Sequence, residues 1–298
     1  MTNDTLWLIV DVGTSGAKAA LITAAGELRR TATESYETFS AEGGVNEQHA
    51  ADWWNAVIAV CRAFGDDVQH VGAVAVTGQM QDCILLDSNG LPTHPVILYN
   101  DTRAGAEAET ITGRIGVDRL MALTGNEQGA DSLWAKLRWL VHHQPEALAQ
   151  TRHILFGAAD AVIFQLTGQA STDTTVASTT GLMDLQARRW LGVDVLDSMG
   201  IGACAGKLPP LVAGGGQVGT VTERAAAVTG LSVGIPVYHA PGDAGAATIG
   251  AGSGEMGRAY GYLGTSGWVA FTATTPGSPL NGVFTLAHPQ PDQYIQIA

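Results

Sequence analysis

The chain has 298 residues, 46% hydrophobic and 14% charged, a folded globular composition with apolar material for one large or two ordinary domains. Its formal net charge of −13 repels nucleic acid and anionic membrane, so neither is expected as a partner and an anionic ligand must be held by local donors. Cys61, Cys83 and Cys204 are odd in number and form no CxxC pair, the apolar start at 6–10 runs into Asp11, and no apolar run reaches spanning length; no disulfide framework, zinc site or membrane span is expected, and a reducing cytoplasm fits best.

Residues 6–11 are apolar and β-prone, Gly13-Thr14-Ser15-Gly16 makes a turn, residues 17–23 resume the apolar run, and Gly26 turns into 27–35. This predicts a β-meander. Trp53, Trp54, Val57, Ile58, Cys61 and Phe64 recur at helical spacing, so a helix over 49–64 should pack on that sheet. Residues 71–76 and 84–86 read as strands, with a turn signal at Asp87-Ser88-Asn89-Gly90. From about 102 to 199 the pattern is mostly helical, with Leu133, Leu137 and Leu140 on one stripe. Strands return at 218–221, 236–239 and 258–263, and then at 269–271, 283–286 and 294–297, which should pair with one another.

The turn Asp11-Val12-Gly13-Thr14-Ser15-Gly16 has an echo in Leu263-Gly264-Thr265-Ser266-Gly267. Glycine, threonine and serine are ordinary turn residues. Two copies in the same strand-turn-strand setting point instead to a duplicated unit whose turns face one cleft. Such turns leave backbone N–H groups unblocked and add hydroxyls, so Gly13, Thr14 and Ser15, and likewise Gly264, Thr265 and Ser266, are candidate phosphate holders. Lys18 supplies a point charge, and Asp11 could hold Mg²⁺ through water. No GxxxxGK[ST] is present, Gly200 to Lys207 has the wrong spacing, and no GxGxxG opens a βαβ unit. P-loop and Rossmann readings are therefore set aside.

Asp243 lies among small residues, Pro241-Gly242-Asp243-Ala244-Gly245, at a strand-to-helix turn with no basic neighbour in sequence. That setting suits a general base, and equally a helix cap. Thr77 to Asp82 and Asn100 to Arg103 are polar clusters after apolar runs, suited to hydroxyl recognition or to plain turn chemistry.

Taken together, Asp11 to Lys18, Glu47-Gln48 with Asp52-Trp53-Trp54, Gly78-Gln79-Met80, Asn100-Asp101 with Arg103, Lys136-Leu137 with Trp139, Leu166-Thr167-Gly168, Gly242-Asp243 and 263–267 resemble the FGGY carbohydrate kinases, xylulokinase-like in flavour. The resemblance implies an α/β actin-like, Hsp70-like fold with a ribonuclease H-like lobe, and ATP and sugar in a cleft between two lobes. It implies Asp243 as the base for a sugar hydroxyl, Asp11 near Mg²⁺, both GTSG turns around the ATP phosphates, and Met80, Gln81 and Asp101 in the sugar pocket. The expected domains are 1–250, the N-terminal lobe, and 251–298, the start of a second lobe. The expected partners are a small-molecule sugar and ATP, with a homodimer left open.

Xylulokinases usually have histidine where Gln81 stands and asparagine where Ala244 stands, and family members commonly have Lys-Asp where this chain has Ala159-Asp160. The family also continues past residue 298 into a glycine-rich adenine-binding segment, so the piece alone is expected to bind ATP poorly and turn over little. A kinase for another polyol or ketose, a non-catalytic sugar-binding regulator and a chaperone-like ATPase are the alternatives.

Overall fold

The computed structural model describes residues 5–263, 267–278, 280 and 282–298. Leu8, Val10 and Val12 alternate along β1 (Leu6–Val12) and are fully buried, as are Ala17 and Leu21 on β2 (Gly16–Thr23). This is the period-2 pattern of strands with one face on a core. β3 (Leu28–Ser35) completes the expected meander, and β4 (Phe39–Ala41) and β5 (Val45–Gln48) form a hairpin. Helix α1 (Ala50–Ala63) lays Trp53, Val57, Val60 and Cys61 on the first sheet. β6 (Val71–Gly78) then runs parallel to β1.

Only Gln79 separates β6 from β7 (Met80–Leu86), which passes into a second sheet with β8 (Val96–Ile97). The expected loop over 77–82 is thus two strand ends. Helices α2 (Gly105–Ile115), α3 (Val117–Thr124), α4 (Leu133–His143) and α5 (Pro145–Gln150) follow. The expected helical stretch is then broken by β9 (His153–Gly157), antiparallel to β7, before α6 (Ala158–Thr167). A run as short as Ile154-Leu155-Phe156 has no period to distinguish strand from helix, and pairing with β7 decides it.

Short elements come next: β10 (Thr172–Asp173), α7 (Thr174–Ser178), β11 (Met183–Asp184), β12 (Arg189–Trp190), α8 (Val193–Ser198) and β13 (Leu211–Val212). β14 (Gly216–Thr220), α9 (Glu223–Thr229), β15 (Pro236–His239) and α10 (Asp243–Gly250) return to the first sheet, whose order is β14-β15-β6-β1-β2-β3. The second sheet is ordered β4-β5-β8-β7-β9. A third, antiparallel sheet is ordered β16-β17-β19-β18, from β16 (Ala259–Leu263), β17 (Gly267–Ala273), β18 (Phe284–Ala287) and β19 (Tyr294–Ile297). Among the described residues, no helix is long and apolar enough to cross a membrane.

The third sheet shares its core with the second through Ala270, Leu286 and Ile295. Its β18 edge is also closed by polar contacts. The fully buried Asn126 donates from Nδ2 to the Thr285 carbonyl at 2.8 Å and accepts the Thr285 N–H on Oδ1 at 2.7 Å. Thr175 Oγ1 donates to the Ala287 carbonyl at 2.9 Å, and the Ala287 N–H donates to Ser178 Oγ at 3.0 Å. Side chains thereby stand in for a missing ladder partner on a strand edge. Asn126→Ala would leave both Thr285 groups unpaired in a dry site, so we expect a loss of about 1–3 kcal/mol in urea unfolding. An unchanged unfolding midpoint would rule out this latch.

Candidate active site

The β1–β2 turn has its carbonyls engaged in hydrogen bonds within the protein. The Gly13 N–H closes on the Gly16 carbonyl at 3.1 Å, the Tyr36 hydroxyl donates to the Gly13 carbonyl, and Gln48 Nε2 donates to the Thr14 carbonyl at 2.7 Å. The Ser15 carbonyl accepts the Tyr36 N–H. Those bonds take up the turn's carbonyls, and the Gly13 N–H is taken up with them. Gln48 Oε1 accepts in turn from Trp53 Nε1 at 2.9 Å and Gln79 Nε2 at 3.0 Å, so helix α1 and the β6–β7 junction both steady the turn. Asp11 and Lys18 are direct antiparallel partners, which places their side chains on one face. Asp11 Oδ1 is buried without a hydrogen-bond partner, and burial raises its pKa against the opposing pull of Lys18.

Asp243 is the first residue of α10, separated from the end of β15 by Ala240, Pro241 and Gly242. Gly242 takes the cap position, and Asp243 Oδ1 accepts the Ala244 N–H at 2.7 Å. The carboxylate opens onto a cavity, yet the surrounding protein displaces enough water to push its pKa up to about 6. The Ala244 N–H opposes that shift, while the Asp11 and Asp173 carboxylates reinforce it.

The cavity holds about 440 Å³ and brings together Thr14, Gln79, Met80, Gln81, Tyr99, Thr179 and Asp243 with an apolar side of Ala244, Trp268, Phe284, Leu286 and Ile297. Gln81 sits at φ 66, within the register shift of the β7–β9 pairing between Met80 and Ile84. A bulge of this kind re-aims a side chain beside a site, here into the cavity. Gln79 Oε1 is buried and unpartnered, an acceptor free for a ligand hydroxyl.

The expected residues Thr14, Met80, Gln81 and Asp243 are therefore neighbours, with Gly13, Ser15, Asp11 and Lys18 on the adjoining hairpin. Gly264, Thr265 and Ser266 lie outside the described residues. Asp101 does not line the cavity. It is fully buried, and its carboxylate is taken by the Asn46 N–H at 2.7 Å and by Arg103 Nε and Nη2 at 3.0 and 2.7 Å. Arg103 also pairs with Glu47 and lies over the Trp139 ring. The sequence cluster at 100–103 is thus an internal clamp. Tyr99, one residue before it, is the one that reaches the cavity. Its carbonyl is held by the buried Lys136 Nζ at 3.1 Å, and its N–H donates to the buried Asp82 at 3.2 Å. Tyr99, Thr179 and Trp268 were missed because nothing local marks them; only the GTSG echo beside Trp268 gave a hint.

Comparison with known proteins defines the class first. The solved xylulose kinase from Rhodospirillum rubrum superposes with a TM-score of 0.90 at 26% identity, covering 98% of this chain and 60% of that one. The fold is the α/β actin-like, Hsp70-like ATPase fold with a ribonuclease H-like lobe. The model of the FGGY family of carbohydrate kinases, N-terminal domain, matches residues 6–250, and the chain belongs to that family. It is 28% identical to the xylulose kinase of Escherichia coli K12 over 292 residues, 97% of this chain and 59% of the relative. It is 30% identical to the L-fuculokinase of the same strain over 250 residues, 83% of this chain and 52% of the relative. The chain thus spans a little over half the length of these relatives.

The close approach at Gly242 can be tested directly. A Cβ there would lie 2.5 Å from Met80 Cγ and Sδ and 2.8 Å from Val176 Cγ2. We expect Gly242→Ala to cost about 1–3 kcal/mol by overpacking. Gly113→Ala, inside α2 with open space around it, should instead gain about 0.5–1 kcal/mol. Equal responses in chemical denaturation would refute the packing account.

Proposed function

We propose that this chain carries the catalytic base and sugar pocket of an ATP-dependent kinase for a small sugar, a ketopentose such as xylulose or a related ketose. The observation that carries the reading is Asp243, a carboxylate whose pKa is pushed up to about 6, sharing one cavity with Thr14 of the Gly13-Thr14-Ser15 turn. Asp243 takes the proton of the sugar hydroxyl, the freed oxygen attacks the γ-phosphorus of ATP, and ADP leaves. Phosphoryl transfer asks mainly for alignment and charge stabilisation, and a turn stripped of free carbonyls suits the phosphates. The orphaned Oδ1 of Asp11 fits a role in holding Mg²⁺, which would neutralise phosphate charge when bound. Lys18, opposite Asp11, adds a second positive group on that face.

The relatives' names divide between xylulose kinase and L-fuculokinase. Gln81 offers the pocket an amide that both donates and accepts but carries no charge, and Ala244 contributes only a methyl. Both favour a ketose other than xylulose as the second reading.

The test is ADP release by the full-length kinase over a panel of pentuloses, hexuloses and polyols. Asp243→Asn should lower kcat by about 10²–10⁴ with sugar affinity nearly unchanged. The base form exists above its pKa and is lost below it, so kcat/KM should fall as pH drops through about 6. Near-normal kcat in a folded Asp243→Asn variant would remove the base assignment. Gln81→Ala should reorder the substrates, by about 1–3 kcal/mol where a buried hydroxyl loses its partner, and leave the KM for ATP alone. An unchanged ranking would take Gln81 out of the pocket's selectivity.

A further inference from the structure

Three strand-to-helix junctions converge on one imidazole. His239 closes β15 and is fully buried, with Nε2 at 2.7 Å from Asp160 Oδ1 and Nδ1 at 2.8 Å from the Ala240 carbonyl. A carboxylate and a carbonyl only accept, so both ring nitrogens donate and the imidazole carries a positive charge. Asp173 Oδ2 lies 3.9 Å from Nδ1 as a second anion. The charged groups acting on His239 are Asp160 of α6 and Asp173 of β10, both fully buried. Burial alone would discharge the ring, but these carboxylates win and hold its pKa at about 9.

Both carboxylates are committed to backbone. Asp160 Oδ2 accepts the Phe156 and Gly157 N–H groups at 3.0 and 3.1 Å, at the β9–α6 junction. Asp173 Oδ1 caps α7 through the Thr175 and Val176 N–H groups at 2.8 and 3.4 Å. Asp173 Oδ2 accepts the Gly242 N–H at 3.2 Å, one residue before the base. The Ala158 N–H, at the start of α6, donates to the Gln79 carbonyl at 3.1 Å, and Thr179 caps the C-terminus of α7. Gln79, Thr179 and Asp243 all line the cavity, and each hangs from one of the three junctions.

We propose that His239 is a positioning residue for phosphoryl transfer: its buried positive charge gathers Asp160 and Asp173 and fixes the Gly242 turn that aims Asp243. This role rests on the kinase reading above. The charge also keeps Asp173, whose pKa burial lifts to about 6, ionised as the acceptor for Gly242. The charged groups acting on Asp243 are Asp11 and Asp173, so the state of Asp173 is felt at the base.

Two measurements test the proposal. NMR of ¹⁵N-histidine in this 298-residue chain reads the ring without any turnover. His239 should stay doubly protonated from about pH 6 to about pH 8, where an ordinary histidine discharges; a neutral ring at about pH 7 overturns the role and leaves the kinase reading standing. In the full-length kinase, His239→Gln keeps a donor but loses the charge. The kcat should fall about 10²-fold, as for a misplaced reacting group, with the sugar KM changed less than about threefold. The acidic limb of kcat/KM should move to lower pH, because Asp173 takes up a proton and stops repelling Asp243. Unchanged kcat and acidic limb in a folded variant overturn the proposal. If His239→Gln does not fold, Asp173→Asn must move the limb the same way, and a stationary limb again overturns it. No turnover of any sugar by the unsubstituted full-length protein overturns the kinase reading, and this role with it.

Discussion

A gap just wide enough for a hydrogen atom separates the β15–α10 turn from the Met80 and Val176 side chains, and the position of Asp243 depends on it. A Cβ at Gly242 would sit 2.5 Å from Met80 and 2.8 Å from Val176. Both neighbours belong to the same site: Met80 opens β7 and lines the cavity, and Val176 sits in α7, whose C-cap Thr179 is on the cavity wall. The Thr77 hydroxyl ties the turn to β6 by donating to the Pro241 carbonyl at 2.7 Å. Three chain segments therefore share one close contact beside the carboxylate. Dense interiors transmit displacement in this way because there is no free volume to absorb it.

The charge balance around that contact is equally tight. Asp11, Asp82, Asp160, Asp173 and Asp243 gather near the cleft in a chain that is already acidic, at −13. Two buried cations meet them. Lys136 is the main attraction on Asp82, whose carboxyl burial still raises well above its ordinary range, and His239 binds Asp160 and Asp173. Ala159 leaves Asp160 without a basic neighbour in sequence, and the fold supplies one from β15 instead. A buried cation removed from such a cluster leaves its carboxylates uncompensated, which is far more costly than losing a surface pair.

Local patterns in the sequence carried the meander, helix α1, the strand ends at 236–239 and 294–297, and the glycine turn before Asp243. Period and turn chemistry are short-range signals, and these elements are decided at short range. What escaped is decided at long range. The run Ile154-Leu155-Phe156 becomes strand β9 because β7 is there to pair with it. Asp101 reads as a pocket residue until Arg103 and Asn46 are seen to occupy its carboxylate. His239 reads as the last residue of a strand, since its partner Asp160 is 79 positions away. Gln81 stands in a polar cluster in the sequence, and its left-handed φ of 66 falls at a shift in β7–β9 pairing that no local pattern encodes.

The third sheet gives the candidate site its apolar side. Trp268, Phe284, Leu286 and Ile297 come from its strands and form the apolar side of the cavity facing Asp243. Tyr262 stacks on Trp268 with ring centres 5.2 Å apart, and Tyr260 meets the same ring edge-on. A carboxylate in open water is a weak base, and desolvation is the largest cause of the upward shift at Asp243. The first sheet places Asp243, while the third contributes the apolar side of the cavity it opens onto. The Asn126 and Thr175 contacts that fasten β18 hold Phe284 and Leu286 in place on that side.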